Sequence, residues 1–273
     1  MPENIRLPAV GGMFYPGKAT LLHKTLTGFF AAAAGEAQPA AAVLCPHAGY
    51  IYSGALAAIT FAQVNIPQRV LLLGPTHQGL SGAAAISLAT WRTPLADTPV
   101  DVKFAQSLLA KSSLIMHNET GHQQEHCLEV QLPFLQYLRN DLCIVPLVVA
   151  GMPFNMCQEI AVALAATIRE SAGETLIVIS TDMSHYLPKH QAARLDALAL
   201  ERVLALDPLG LHQTCVKNGI SMCGFVAVTI AMLAVLELGP ATARLVGYTD
   251  SSAASGDVGR VVGYAGVVFR GEK

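Results

Sequence analysis

Three histidines sit directly behind apolar runs that read as strands. Residues 41–45 are followed by Pro46-His47-Ala48-Gly49-Tyr50, and residues 70–73 by Gly74-Pro75-Thr76-His77. Residues 176–180 are followed by Thr181-Asp182-Met183-Ser184-His185-Tyr186. Neutral imidazole is the commonest protein metal ligand and the commonest general base near neutral pH. His47 and His77 with one anionic ligand would form an open metal site that leaves a position for water or substrate. Asp182 precedes His185 closely enough to orient its ring and stabilise its protonated form, an acid–base pair rather than a second metal site. Asp182 would equally cap a following helix. A lone histidine after a strand is ordinarily a hydrogen-bonded structural residue, whereas three at equivalent strand ends point to a shared site.

Two further groups carry reactive side chains. Ser221-Met222-Cys223-Gly224 opens an apolar stretch that reads as a helix. A cysteine at a helix N-terminus is biased toward thiolate, a soft metal ligand and a nucleophile; a buried core thiol is the alternative. His122-Gln123-Gln124-Glu125-His126 has the inverted H-x-x-E-H order of some zinc proteases. That reading also requires a downstream acidic ligand on a helix. The same residues suit a polar helix start, or a helix that lines a cleft through Glu125 or His126.

The elements around these residues alternate in type. Short apolar runs over 41–45, 70–73, 84–88, 142–149 and 176–180 suit strands buried on both faces. Helical spacing covers 18–33, 54–64, 102–111, 124–139, 155–170, 190–205 and 224–237. Strands alternating with helices predict an α/β chain with a mostly parallel sheet and helices on both faces. Two late runs, 243–248 and 260–269, are joined by a Gly/Ser-rich loop and are expected to pair antiparallel at the end of the sheet. Ligands in such sheets bind outside the carboxyl ends of the strands, where the three histidine loops lie. Residues 31–39, rich in alanine, read as a short linker. No other stretch divides the chain, so residues 1–273 are expected to form one domain.

Composition removes several function classes. The chain has 17 Lys+Arg against 19 Asp+Glu, a net charge of −2, which argues against a nucleic-acid binder that works by neutralising phosphates. With 52% hydrophobic and 13% charged residues it has ample material for a core. The uncharged stretch 218–236 is diluted by Asn218, Gly219, Ser221 and Gly224, so a buried helix is expected rather than a membrane span. No basic region followed by an apolar one opens the chain, so no signal peptide is read. The six cysteines form no CxxC pair and no regular framework, which suits core thiols in a reducing, cytoplasmic compartment. There is no GxxxxGK[ST], GxGxxG or GxSxG, so nucleotide-binding and nucleophile-elbow readings lose support.

Taken together, the motifs resemble the Memo-like family, related to the protein B component of the AmmeMemoRadiSam system. The resemblance begins at Arg6-Leu7-Pro8-Ala9-Val10-Gly11-Gly12-Met13-Phe14-Tyr15-Pro16. It continues through Pro46-His47-Ala48-Gly49-Tyr50-Ile51-Tyr52-Ser53-Gly54, Gly74-Pro75-Thr76-His77 and Arg92-Thr93-Pro94-Leu95. Glu125-His126-Cys127-Leu128-Glu129-Val130-Gln131-Leu132-Pro133-Phe134, Ser180-Thr181-Asp182-Met183-Ser184-His185-Tyr186, Cys223-Gly224 and Tyr248-Thr249-Asp250-Ser251-Ser252 complete it. The resemblance implies a three-layer α/β sandwich like that of the class III extradiol dioxygenases, which hold Fe(II) with two His and one Glu. On that likeness His47 and His77 are metal ligands, Cys223 stands where the Glu would be, and His185 is the acid–base residue with Asp182 beside it. Iron is the expected metal, and a thiolate ligand moves preference toward copper or zinc. Cys127 and Thr181 stand where the family commonly has Ser. The resemblance further implies a small-molecule substrate or a peptide in the cleft and a radical-SAM protein as a partner. Three functions follow: a metal-dependent redox protein, an extradiol-type dioxygenase on a catechol-like substrate, or a binding module that keeps the enzyme fold.

Overall fold

A computed structural model describes residues 4–33 and 35–271. The leader reading covers Met1–Glu3 and the linker reading includes Ala34; these positions lie outside the described residues. Nine strands form the main sheet: β1 (Ala42–Cys45), β2 (Arg69–Pro75), β3 (Ala84–Ile86), β4 (Ile115–His117), β5 (Cys143–Val149), β6 (Thr175–Ser180), β7 (His185–Leu187), β8 (Ala241–Asp250) and β9 (Val261–Gly271). Their order is β7-β9-β1-β6-β2-β5-β3-β4, with β8 also paired to β9. The four central strands β1, β6, β2 and β5 are mutually parallel. Antiparallel pairings of β9 with β1 and of β3 with β5 extend the sheet on either side. Valine, leucine and isoleucine dominate the centre, and Val70–Leu73 and Leu176–Ile179 are wholly buried, as strands covered on both faces require.

Register brings the histidine loops together. Cys45 pairs with Ser180, and Leu73 pairs with Ile179. The carboxyl ends of β1, β6 and β2 therefore lie side by side, and the loops that carry His47, Asp182 and His77 leave from neighbouring strands.

Helices flank the sheet: α1 (Ala19–Ala31), α2 (Tyr50–Phe61), α3 (Val102–Lys111), α4 (Leu132–Leu138), α5 (Phe154–Glu170), α6 (Lys189–Leu204), α7 (Pro208–Asn218) and α8 (Phe225–Leu238). α2 packs on β1, β8 and β9 beside α1 and α4, whereas α8 packs on the parallel strands beside α5 and α7. α8 is apolar around almost its whole circumference because Val226–Met232 are wholly or nearly buried between the sheet and its helical neighbours. At 14 residues it is about 21 Å long, short of the roughly 30 Å hydrocarbon layer. Among the described residues no helix is long and apolar enough to cross a membrane.

Three expectations about elements change. α2 begins at Tyr50, earlier than its apolar spacing predicts. α7 was not expected, since it buries only Leu211 and Cys215 and so shows no stripe. Its ends nevertheless carry signals: Asp207 accepts from the Gly210 N–H, Pro208 opens it, and Gly219 closes it at φ +59°. The single helix expected over 124–139 is instead a short turn at Thr120–Gln123, a 3-10 turn at Glu129–Gln131 and α4. The break falls where the Glu125 carboxylate takes the N–H groups of His126 and Cys127, competing with helical bonding.

The chain start is clamped to this broken segment. Ile5–Arg6 pairs with Thr90–Arg92 in a small separate sheet. The Arg6 guanidinium donates to Glu129 Oε2 at 2.8 Å, to the His122 carbonyl at 2.7 Å and to the Glu125 carbonyl at 2.6 Å. Glu129 also accepts from the Ala9 and Val10 N–H groups and from the Tyr15 hydroxyl. This buried ion pair has its polar atoms matched, the condition under which such a pair is tolerated.

Candidate metal centre

His47 is held from behind in one tautomer. Ser180 Oγ donates to the Cys127 carbonyl at 2.6 Å and accepts from Gln131 Nε2 at 2.9 Å. It therefore meets His47 Nδ1, 2.9 Å away, as an acceptor. Nδ1 carries the proton, and Nε2 keeps its lone pair. Burial first, and then the neighbouring His77, lower the His47 pKa to about 3, so the ring stays neutral. Asp182 Oδ1 accepts the His47 backbone N–H at 2.8 Å, and Oδ2 lies 4.0 Å from His47 Nε2.

His77 is fixed in the same sense by a different group. Glu125 Oε1 lies 2.9 Å from His77 Nδ1, and Oε2 accepts the His77 backbone N–H. Burial would raise the Glu125 carboxyl, but hydrogen bonds from the His77 ring, the His77 backbone and the Cys127 backbone pull it down to about 2. An ionised carboxylate can only accept, so Nδ1 of His77 is protonated and Nε2 is free. Carboxylate-backed imidazoles of this kind are common among metal ligands.

His126 completes a cluster of three rings. Ring centroids lie 5.2 Å apart for His47 and His77, 5.4 Å for His47 and His126, and 4.5 Å for His77 and His126. One ring nitrogen from each falls within 4.8 Å of the others, close enough for one metal ion. His126 Nδ1 is 3.4 Å from Glu125 Oε1, so one carboxylate backs two of the rings. Burial, with His47 next, lowers the His126 pKa to about 4.

Cys223 approaches from another side. Its Sγ lies 3.3 Å from His47 Nε2 and 3.2 Å from the Asp182 N–H. Gly224 permits this approach, because a Cβ there would stand 2.6 Å from Thr181 Cβ and 2.8 Å from the Ser180 carbonyl oxygen. Burial, then the Asp182 charge, push the thiol up to about 12. Without a metal it is a thiol, the buried-thiol alternative of the sequence, because burial outweighs the N-terminus of α8; a bound cation would displace that proton.

His185 and Asp182 share the cleft without bonding to each other. His185 Nδ1 donates to the Ser221 carbonyl at 2.9 Å, which leaves Nε2 as the basic atom. Asp182 spends its hydrogen bonds on the His47 loop. It caps no helix, since β7 follows it and α6 opens behind Pro188. Burial raises its carboxyl to about 6 against the opposing backbone bonds from His47 and Ala48.

The inverted zinc-protease reading does not fit. His122 Nε2 donates to the Ala85 carbonyl at 3.0 Å and the ring packs edge-on to Trp91, away from the cleft. Nor do His122 and His126 share a helix. Sequence reasoning left the roles of Glu125 and His126 open and passed over Ser180 and Gln131. The available signals were a hydroxyl closing an apolar strand and a glutamine inside an apolar run.

The three rings line a cleft of about 610 Å³ whose walls also include Phe14, Tyr52, His185, Tyr186, Arg260 and Tyr264. The cluster could hold a single metal ion: three imidazoles meet there, the tautomers of His47 and His77 set by Ser180 and Glu125, with open space beyond.

Known proteins share this chain's sequence almost end to end. A family profile described as Memo-like protein matches residues 6–268. A MEMO1 family protein of Methanopyrus kandleri is 36% identical over 279 residues, covering 97% of this chain and 99% of its own. The MEMO1 family proteins of Archaeoglobus fulgidus and Aquifex aeolicus are each 35% identical, covering 97% of this chain and 100% and 99% of their own. Among solved structures, an uncharacterized protein of Escherichia coli K12 matches with a TM-score of 0.50 at 14% identity, over 76% of this chain and 88% of its own. At that identity the likeness concerns the fold alone. The profile spans every loop that supplies the cluster, and the chain belongs to the Memo-like, or MEMO1, family.

Proposed function

We propose that this protein is a metal-dependent redox protein with a mononuclear iron or copper site held by His47, His77 and Cys223, with His126 as a further donor. The observation that carries this reading is the pair of tautomer locks. Ser180 and Glu125 each take the Nδ1 proton of one ring, so both Nε2 lone pairs are available at one place. Bound iron or copper would supply one-electron chemistry and an open position beside the cleft. His185 Nε2 is the proton acceptor on the cleft wall, because Nδ1 is engaged by Ser221. Asp182 holds the His47 loop and faces the ring that coordinates.

Elemental analysis of protein purified anaerobically without a His tag tests this. Near-stoichiometric iron or copper is expected in the wild type and its loss in Cys223→Ala. Metal kept in Cys223→Ala but lost in His126→Ala would make His126 the third ligand. Full occupancy in both variants, or no metal after anaerobic Fe(II) or Cu(I) loading, sinks the reading.

An extradiol-type dioxygenase acting on a catechol-like substrate is the second reading. Its support is the aromatic-walled cleft that the histidines also line, together with the fold that the motif resemblance implies. Oxygen uptake with a panel of catechols after Fe(II) loading checks it, and no uptake above a metal-free control rejects it.

A further inference from the structure

The cleft that the histidine cluster lines also carries a cation and a strained aromatic ring that the metal site does not use. Tyr186 has φ +59°, a left-handed conformation that a bulky side chain rarely adopts. Its ring is nevertheless 64% exposed, so burial does not explain the strain. The cause lies in the pairing of β7 with β9. His185 pairs with Val262 and Leu187 with Val261, and the register slips between them, so Tyr186 is the extra residue of a bulge. Bulges commonly re-aim a side chain beside an active site, and Tyr186 lines the cleft.

Arg260 immediately precedes β9 and is set by the same pairing. Its guanidinium lies 5.4 Å from the centre of the Tyr186 ring. Among the described residues it has neither an ion pair nor a hydrogen bond. None of the nearby acids pairs with it: Asp250 pairs with Lys189, while Asp182 and Asp257 each accept a backbone N–H, from His47 and Gly259. A guanidinium stacked on an aromatic face keeps its planar fork of N–H donors free for a carboxylate. Lys189 is taken by Asp250 and Ser252, and among the described residues Arg260 is the one lysine or arginine that lines the cleft. That suits a singly charged carboxylate better than a phosphate dianion. Phe14, Tyr52 and Tyr264 supply aromatic walls to the same cleft.

We infer that Arg260 and Tyr186 form the anchoring end of the substrate cleft, and that the molecule they select is a small planar compound bearing a carboxylate. The inference rests on reading the histidine-lined cleft as the substrate site, and it adds the class of substrate.

The test compares benzoate with its neutral isostere benzamide by ligand-observed NMR titration of the full chain, as purified and again after chelation. The wild type should bind benzoate about tenfold tighter than benzamide in both preparations, as one charge-assisted contact allows. Arg260→Gln should remove that preference by weakening benzoate alone. Tyr186→Ala should weaken both compounds by about threefold or more, since it removes a stacking face. Melting curves check that both variants, altered at exposed positions, remain folded. The inference is overturned if the wild type shows no preference for benzoate or if the preference survives in Arg260→Gln. It is equally overturned if the preference disappears on chelation, which would place the carboxylate on a metal, or if Tyr186→Ala changes neither affinity. Absence of metal from every preparation would defeat the proposed redox site while leaving these comparisons intact, and failure of these comparisons leaves the metal analysis of Cys223→Ala untouched.

Discussion

Glu125 is buried and ionised, and two imidazoles and three backbone N–H groups surround its carboxylate. Replacing it with glutamine keeps the shape but removes the charge, and turns one oxygen into an NH2 that would face donors. Glu125→Gln is expected to weaken metal binding by about 10–100-fold, the usual effect of disturbing a ligand's hydrogen-bond partner. Competition with a chromophoric chelator measures this, and unchanged affinity would remove Glu125 from the site. The strand-end histidines were legible in the sequence because three of them follow apolar runs, where a single one would read as structural. His126 was harder to place. Its position depends on Glu125 capturing the turn and on Arg6 gripping the Glu125 carbonyl, contacts that no local pattern encodes.

At the level of elements, legibility followed burial. The sequence marked α3 well, because Asp101 caps it and Phe104, Ala105 and Leu108 make a stripe. β7 was invisible, since its three residues pair only with β9, far along the chain. At the junction of α8 with β6, Gly224 stands directly against Thr181 and the Ser180 carbonyl, a long-range contact that no local pattern encodes. Gly224→Ala would drive a methyl group into Thr181. The expected cost is about 1–3 kcal/mol, typical of overpacking, and Cys223 would move away from His47. Urea unfolding should show the first effect and metal content the second. A variant with wild-type stability and full occupancy would mean that the helix has slack at this end.

Across the whole molecule, the Arg6–Glu129 pair ties the start of the chain to the segment that carries Glu125 and His126. Glu129→Gln leaves a buried guanidinium without its counter-charge, and losing one partner of such a pair costs about 3–5 kcal/mol. A urea titration should register that loss. The metal affinity of the still-folded fraction should also fall, because the Glu125 loop loses its support. A loss below about 1 kcal/mol would place the pair among exposed ones in energetic terms.

The placement of β9 bears on when the protein can acquire its metal. β9 is the last strand in the sequence, yet it lies directly against β1, the strand that presents His47. During synthesis His47, His77 and His126 emerge from the ribosome well before Cys223 and β9 exist. A nascent chain therefore exposes imidazoles without the thiol or the neighbouring strand that shape the finished pocket. On the proposed reading, the full donor set and the strand beside it come together only after Cys223 and β9 have emerged.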